Sequence, residues 1–116
     1  MREVSGMLNE EAIRNIHLIK SVAEQIWGSN VIFGEINVLN TPYSQFELPM
    51  KLYREMDVLL VYDRSILDIS VRKDNEYLWL SDLTDERIIE GFDSMKQEKL
   101  LYNFQVLDRL IRKNMN

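Results

Sequence analysis

The sequence predicts an α+β fold: an antiparallel sheet of about four strands packed by an N-terminal helix and two C-terminal helices. Three observations carry this. Residues 56–83 hold three short apolar runs separated by polar breaks at 63–65 and 73–76, the pattern of an antiparallel meander. Ahead of them, Ile13, Ile16, Ile19, Ala23 and Ile26 recur at three- and four-residue spacing, one stripe of an amphipathic helix. Behind them, Leu100, Phe104, Leu107 and Ile111 repeat the pattern. The order is helix, strand, a long connection, three strands and two helices, which segregates helices from an antiparallel sheet. At 116 residues the length fits one domain, 1–116.

The first helix is expected over 10–27. Asn9 is a candidate N-cap, and Glu10 and Glu11 fall in the first turn, where the helix dipole favours anions. Leu18, Val22 and Trp27 widen the stripe, and Gly28 stands where a C-terminal glycine stops a helix. A strand over 31–39 follows, with Ile32, Ile36 and Val38 on one face. Gly34 inside it marks a bulge or the close approach of another backbone. The connection 40–56 is the least legible part: Thr41-Pro42 and Pro49 break it, and it reads either as a short helix after Pro49 or as a hairpin arm. In the helix reading, Leu52, Tyr53 and Met56 face inward.

In the meander, 58–62 is apolar on both faces, which fits a central or covered strand. Leu67, Ile69 and Val71 alternate with Asp68, Ser70 and Arg72, so the first set faces the core. In 76–81, Leu78 and Leu80 point inward while Tyr77, Trp79 and Ser81 point out. Thr84 is a candidate N-cap for a helix with Asp85 and Glu86 in its first turn, Ile88, Ile89 and Phe92 on its apolar side and Gly91 at its end. Ser94 and Gln97 fit a capping box for the last helix, which is expected to run to about Arg112. Asp108 and Arg112 form an i,i+4 pair on it.

Composition narrows the function. A 46% hydrophobic content is enough for a core, and without cysteine there is neither a disulfide nor a thiolate metal site. No signal-peptide core and no run of membrane-helix length is present, so the expected location is the cytoplasm. The net charge of −5 argues against nucleic acid, which needs clustered Lys and Arg. That charge is uneven: residues 74–93 carry seven acids against the single base Arg87, whereas 94–116 carry five bases against two acids.

Catalytic chemistry is thinly represented. His17 is the only histidine, the four glycines are isolated, and no nucleophile-elbow or zinc-helix motif occurs. Carboxylate pairs such as Asp63/Asp68 and Asp82/Asp85 read as turn and cap chemistry. The expectation is a non-enzyme with no cofactor and no metal. Two surfaces remain for binding. One is acidic, with Asp82, Asp85, Glu86 and Glu90 as its candidate contacts; it is either a docking face for a basic partner or a solvated rim. The other is the outer meander face with Tyr77 and Trp79, residue types typical of binding hot spots unless a helix covers them.

The run Val-Tyr-Asp-Arg-Ser-Ile-Leu-Asp-Ile-Ser-Val-Arg, followed by Glu-Tyr-Leu-Trp-Leu-Ser-Asp-Leu, resembles small bacterial immunity proteins, which neutralise a co-encoded toxin by binding it. The resemblance spans 58–83, lies in paired strands followed by an acidic helix start, and transfers no individual functional residue. It implies a protein partner, a basic toxin or effector, steered by the acidic strip and anchored by the aromatics. The alternatives are a self-associating structural subunit, for example a homodimer, and a small-molecule-binding domain with a pocket under 40–56.

Overall fold

The structure, a computed structural model, describes residues 10–40 and 45–114. The N-cap expected at Asn9 and the break at Thr41-Pro42 lie outside them.

Helix α1 spans Glu10–Trp27 and buries Ala12, Ile16, Ile19, Val22, Ala23 and Trp27. The stripe turns on Ala12 rather than Ile13, which is 38% exposed. Gly28 stops the helix at φ +53°, a left-handed conformation that costs glycine little. A 3-10 turn, Gly28–Asn30, leads into the sheet.

The single strand expected over 31–39 is two strands, β1 (Val31–Phe33) and β2 (Asn37–Asn40). The break is at Gly34, whose N–H donates to the Pro49 carbonyl at 2.8 Å. A Cβ there would lie 3.3 Å from the proline ring, so the close backbone approach signalled by glycine is met. The break also shifts parity, so that Val31 and Phe33 face the core but Ile32, expected on the same face as Val38, is 57% exposed.

Of the two readings for the connection, the hairpin arm holds. Strand β3 (Gln45–Leu52) buries Phe46, Leu48, Met50 and Leu52 in strict alternation. Pro49 sits in mid-strand without losing a ladder bond to β4 (Met56–Asp63). Its carbonyl points toward β1, so its missing N–H falls on the same side, at the gap between β1 and β2. The meander continues through β5 (Ile66–Lys73) and β6 (Glu76–Trp79). The order is β1-β3-β4-β5-β6, with β2 also on β3, so the sheet has six strands rather than about four and β4 is central. Leu67, Ile69, Val71 and Leu80 are buried as expected, while Leu78 is half-buried.

The C-terminal part departs furthest from expectation. The last strand gives way at Leu80 to a single helical turn, α2 (Leu80–Leu83). The helix expected after Thr84 is absent: 84–90 is irregular, and a 3-10 turn, Gly91–Met95, follows. The cause is long-range. Asn103, buried on α3 (Gln97–Asn114), accepts from the Ile89 N–H at 2.8 Å and donates to the Ile89 carbonyl at 2.9 Å. The Tyr102 hydroxyl donates to the Arg87 carbonyl at 2.7 Å. These bonds take backbone groups that a helix would use itself. Ser94 does not cap α3 either. Its hydroxyl accepts from the Leu67 N–H at 2.8 Å, on an edge of β5 that β6 is too short to reach, and donates to the Gly91 carbonyl at 2.7 Å.

The core is one layer between the sheet and the two long helices. Phe46 stacks on Tyr62 with ring centroids 4.8 Å apart, and Trp27 of α1 meets Phe104 of α3 at 5.3 Å. Across it, the Tyr62 hydroxyl donates to Glu11 and accepts from Asn15 of α1. All of these contacts lie on one face of the sheet.

Candidate binding face

Strand parity determines what the other face carries. Pro49, Leu59, Ser70 and Trp79 are direct cross-strand partners on β3, β4, β5 and β6, and so form one row pointing away from the helices. Ser70 is buried within this row, and its hydroxyl donates to the Leu59 carbonyl at 3.0 Å. Beside the row, Asp57 pairs with Lys51 at 3.5 Å and with Arg72 at 3.6 Å, and Arg72 stands opposite Tyr77. On its other side, Glu47, Val61 and Asp68 are partners across β3, β4 and β5. Tyr77 is 45% exposed and Trp79 44%, so no described helix covers the two aromatics. Among the described residues this face is a largely apolar row with an exposed aromatic end, flanked by rows that carry charge.

The acidic strip is less uniform than its sequence suggests. Asp82 is exposed on α2, and Asp85 and Glu90 are exposed on the irregular segment. Glu86 is different. It receives two hydrogen bonds from Arg109 of α3, at 2.6 and 3.0 Å, and these hold its carboxyl below the usual range. Asp93 is held low in the same way by Lys96, at 2.8 Å. Glu86 is therefore neutralised by the C-terminal helix and Asp93 by Lys96 just before it, and Glu86 ties the irregular segment down.

The strip and the open face meet at Asp68. A cleft of about 330 Å³ runs past the end of β6, with Leu67, Ile69, Trp79 and Ile88 among its walls and Asp68 and Glu90 on its lining. Burial, the Glu90 charge and the Asp63 charge push the Asp68 carboxyl up. Sequence reading placed Asp68 beside Trp79 by parity. It could not bring Glu90 to them, because a helix over 84–91 would have carried that side chain elsewhere.

Catalytic groups do not converge in the described residues. His17 is exposed on α1, and no group of three or more His, Cys, Asp or Glu side chains is placed to hold a metal. No described helix is long and apolar enough to cross a membrane. The stretch 40–56, the alternative site for a small-molecule pocket, forms a sheet strand over Gln45–Leu52.

Fold and surface together define an α+β protein whose sheet has one face covered by helices and one that no described helix covers. Compared with known proteins, the chain matches no family model, no curated protein and no solved structure.

Proposed function

We propose that this chain is a non-catalytic protein-binding module of the cytoplasm, of immunity or inhibitor type, that occludes a basic protein partner with the open face of its sheet. The observation that carries this reading is the exposed pair Trp79 and Tyr77 at the β6 end of the outer row, beside the half-buried Pro49 and Leu59. Antiparallel sheets commonly leave one face to water, but that face is then expected to be polar. Here it presents a Trp, a Tyr, a Leu and a Pro, and exposed aromatics on a rigid frame are typical anchors of protein interfaces. The unpaired acids Asp82, Asp85 and Glu90 lie along the chain that leaves this face, and supply the charge that steers a basic partner.

Self-association is the competing use of the same face. Ile32, 57% exposed on the outward side of β1, extends the apolar surface in its favour. One experiment separates the two. A photo-crosslinking benzoyl-phenylalanine is placed at Tyr77, with a control at Gln105 on the exposed side of α3. The binding reading expects a hetero-adduct with a basic protein from Tyr77 and none from Gln105. An adduct of twice the chain mass, together with a dimer in sedimentation at micromolar concentration, replaces it by the subunit reading. Equal labelling from both positions removes the face as a specific site.

A further inference from the structure

Strand β6 pairs with β5 only from Ser70 to Lys73, so the β5 edge at 67–69 has no strand beside it. The chain returns to that edge at 88–90, held there by the two bonds between Asn103 and Ile89. The space between is the cleft of about 330 Å³. Its walls are rigid on both sides, one a sheet strand and the other a segment pinned by a buried amide.

Three features of this cleft are chemically specific. Its main apolar side chain is the half-buried Ile88, since Leu67 and Ile69 turn their side chains into the core and border the cleft only along the strand edge, and one apolar wall suits a hydrocarbon stem. Trp79 stands at its rim with nearly half its surface free, and an indole face attracts a flat cation. Asp68 and Glu90 both line it, and neither has a hydrogen-bond or ion-pair partner among the described residues. They act on each other instead: the Glu90 charge is one of the causes that raise the Asp68 carboxyl. Two like charges beside a partly desolvated cleft are relieved by one cation placed between them. By contrast, the acids Glu86 and Asp93 on the same segment have their own bases, so Glu90 is the carboxylate of that segment left to face Asp68 across the cleft.

We propose that this cleft receives a single arginine side chain from the basic partner, with its stem against Ile88, its guanidinium on Trp79 and its donors shared by Asp68 and Glu90. This inference rests on the protein-binding reading and names the chemistry of its anchor. Arginine fits better than lysine because a planar fork reaches two carboxylates while stacking on a ring, which a compact ammonium does not. A bare metal ion fits poorly, because no third ligating side chain is gathered here among the described residues.

The test is a ¹⁵N NMR titration with the peptide acetyl-Gly-Arg-Gly-amide, alongside versions carrying citrulline or lysine in place of arginine. The expected result is saturable shifts in the millimolar range at the Trp79 indole N–H and the 88–90 amides. Citrulline, the neutral isostere, should give none, and lysine should bind several-fold more weakly. Asp68→Asn and Glu90→Gln, each shown to be folded by circular dichroism, should each weaken the arginine peptide at least several-fold. Lysine binding as tightly as arginine overturns the assignment to a guanidinium. Shifts that citrulline reproduces, that spread evenly over Asp74, Asp82 and Asp85, or that survive both substitutions overturn the cleft. The Tyr77 crosslink is read separately in Asp68→Asn. A retained hetero-adduct beside a silent titration would leave the binding face in place and remove only its arginine anchor.

Discussion

Asp108 shows how much one side chain can carry. The sequence reads it as half of an i,i+4 pair with Arg112, and that bond is present at 2.9 Å. The same carboxylate also accepts from the Trp27 indole at 2.8 Å and from the Tyr53 hydroxyl, joining α1, the β3–β4 turn and α3. Burial pushes its pKa up, but the bonds from Tyr53, Trp27 and Arg112 and the Arg112 charge outweigh burial and hold it below the usual carboxylate range. A depressed carboxylate stabilises the fold above its unfolded pKa, and that contribution is lost as pH falls through the folded value. Asp108→Asn is therefore expected to cost about 1–3 kcal/mol near neutral pH. The gap from the parent protein should close in acid, as followed by denaturant midpoints across pH. A gap that stays constant down to strongly acid pH would assign the loss to geometry rather than to charge.

At the scale of elements, the hairpins are informative. All three turns of the meander use non-glycine residues at positive φ: Tyr53 and Arg54, Arg64 and Ser65, Asp74 and Asn75. The last two are two-residue turns between directly paired strand ends, with both central residues left-handed, which is type I′ geometry. Asp and Asn tolerate that conformation well, Arg and Ser less so. Ser65, at φ 71°, has a long 3.5 Å contact to Glu11 and a side-chain contact with Tyr62 in compensation. Ser65→Gly should thus stabilise the chain by about 0.5–1 kcal/mol, after allowing for the greater freedom of glycine in the unfolded chain. Thermal unfolding should show this as a rise of a few degrees. A fall would mean that these side-chain contacts outweigh the backbone strain. Segment 84–90 is the opposite case, an element decided by another element. Its own residues favour a helix start, but Tyr102, Asn103 and Arg109 of α3 hold it irregular.

Over the whole molecule, the distribution of charge follows from the same contacts. Arg109 of the C-terminal helix and Lys96 just before it pair with Glu86 and Asp93, and Asp74, Glu76, Asp82, Asp85 and Glu90 have no ion-pair partner among the described residues. Their removal should slow association with a basic partner and flatten its salt dependence, because exposed charges act over about a Debye length. Glu90→Gln is expected to lower the association rate at low salt, whereas Glu86→Gln, already matched by Arg109, should change it much less. Stopped-flow rates at low and high salt check this. Equal effects from the two substitutions would mean that net charge alone, and not the unpaired carboxylates, governs the encounter. The open face sets the complementary term, since Trp79→Ala should act mainly on dissociation.

What could be read before folding is what depends on near neighbours in the chain. The α1 and α3 stripes, the inward set Leu67, Ile69 and Val71, and the outward placing of Tyr77 and Trp79 follow from periods of 3.6 and 2, which a side chain shares with residues a few positions away. Gly34 could be read as a close approach, but not which backbone approaches. That the partner is Pro49, and that one expected strand therefore becomes two, depends on a contact fifteen residues distant. The lost helix after Thr84, the pairing of Glu86, and the meeting of Asp68 with Glu90 depend on α3 and on where β6 stops. Local preference cannot decide these, because a side chain from another element offers the same backbone groups and charges a competing partner, and the packed structure selects between them.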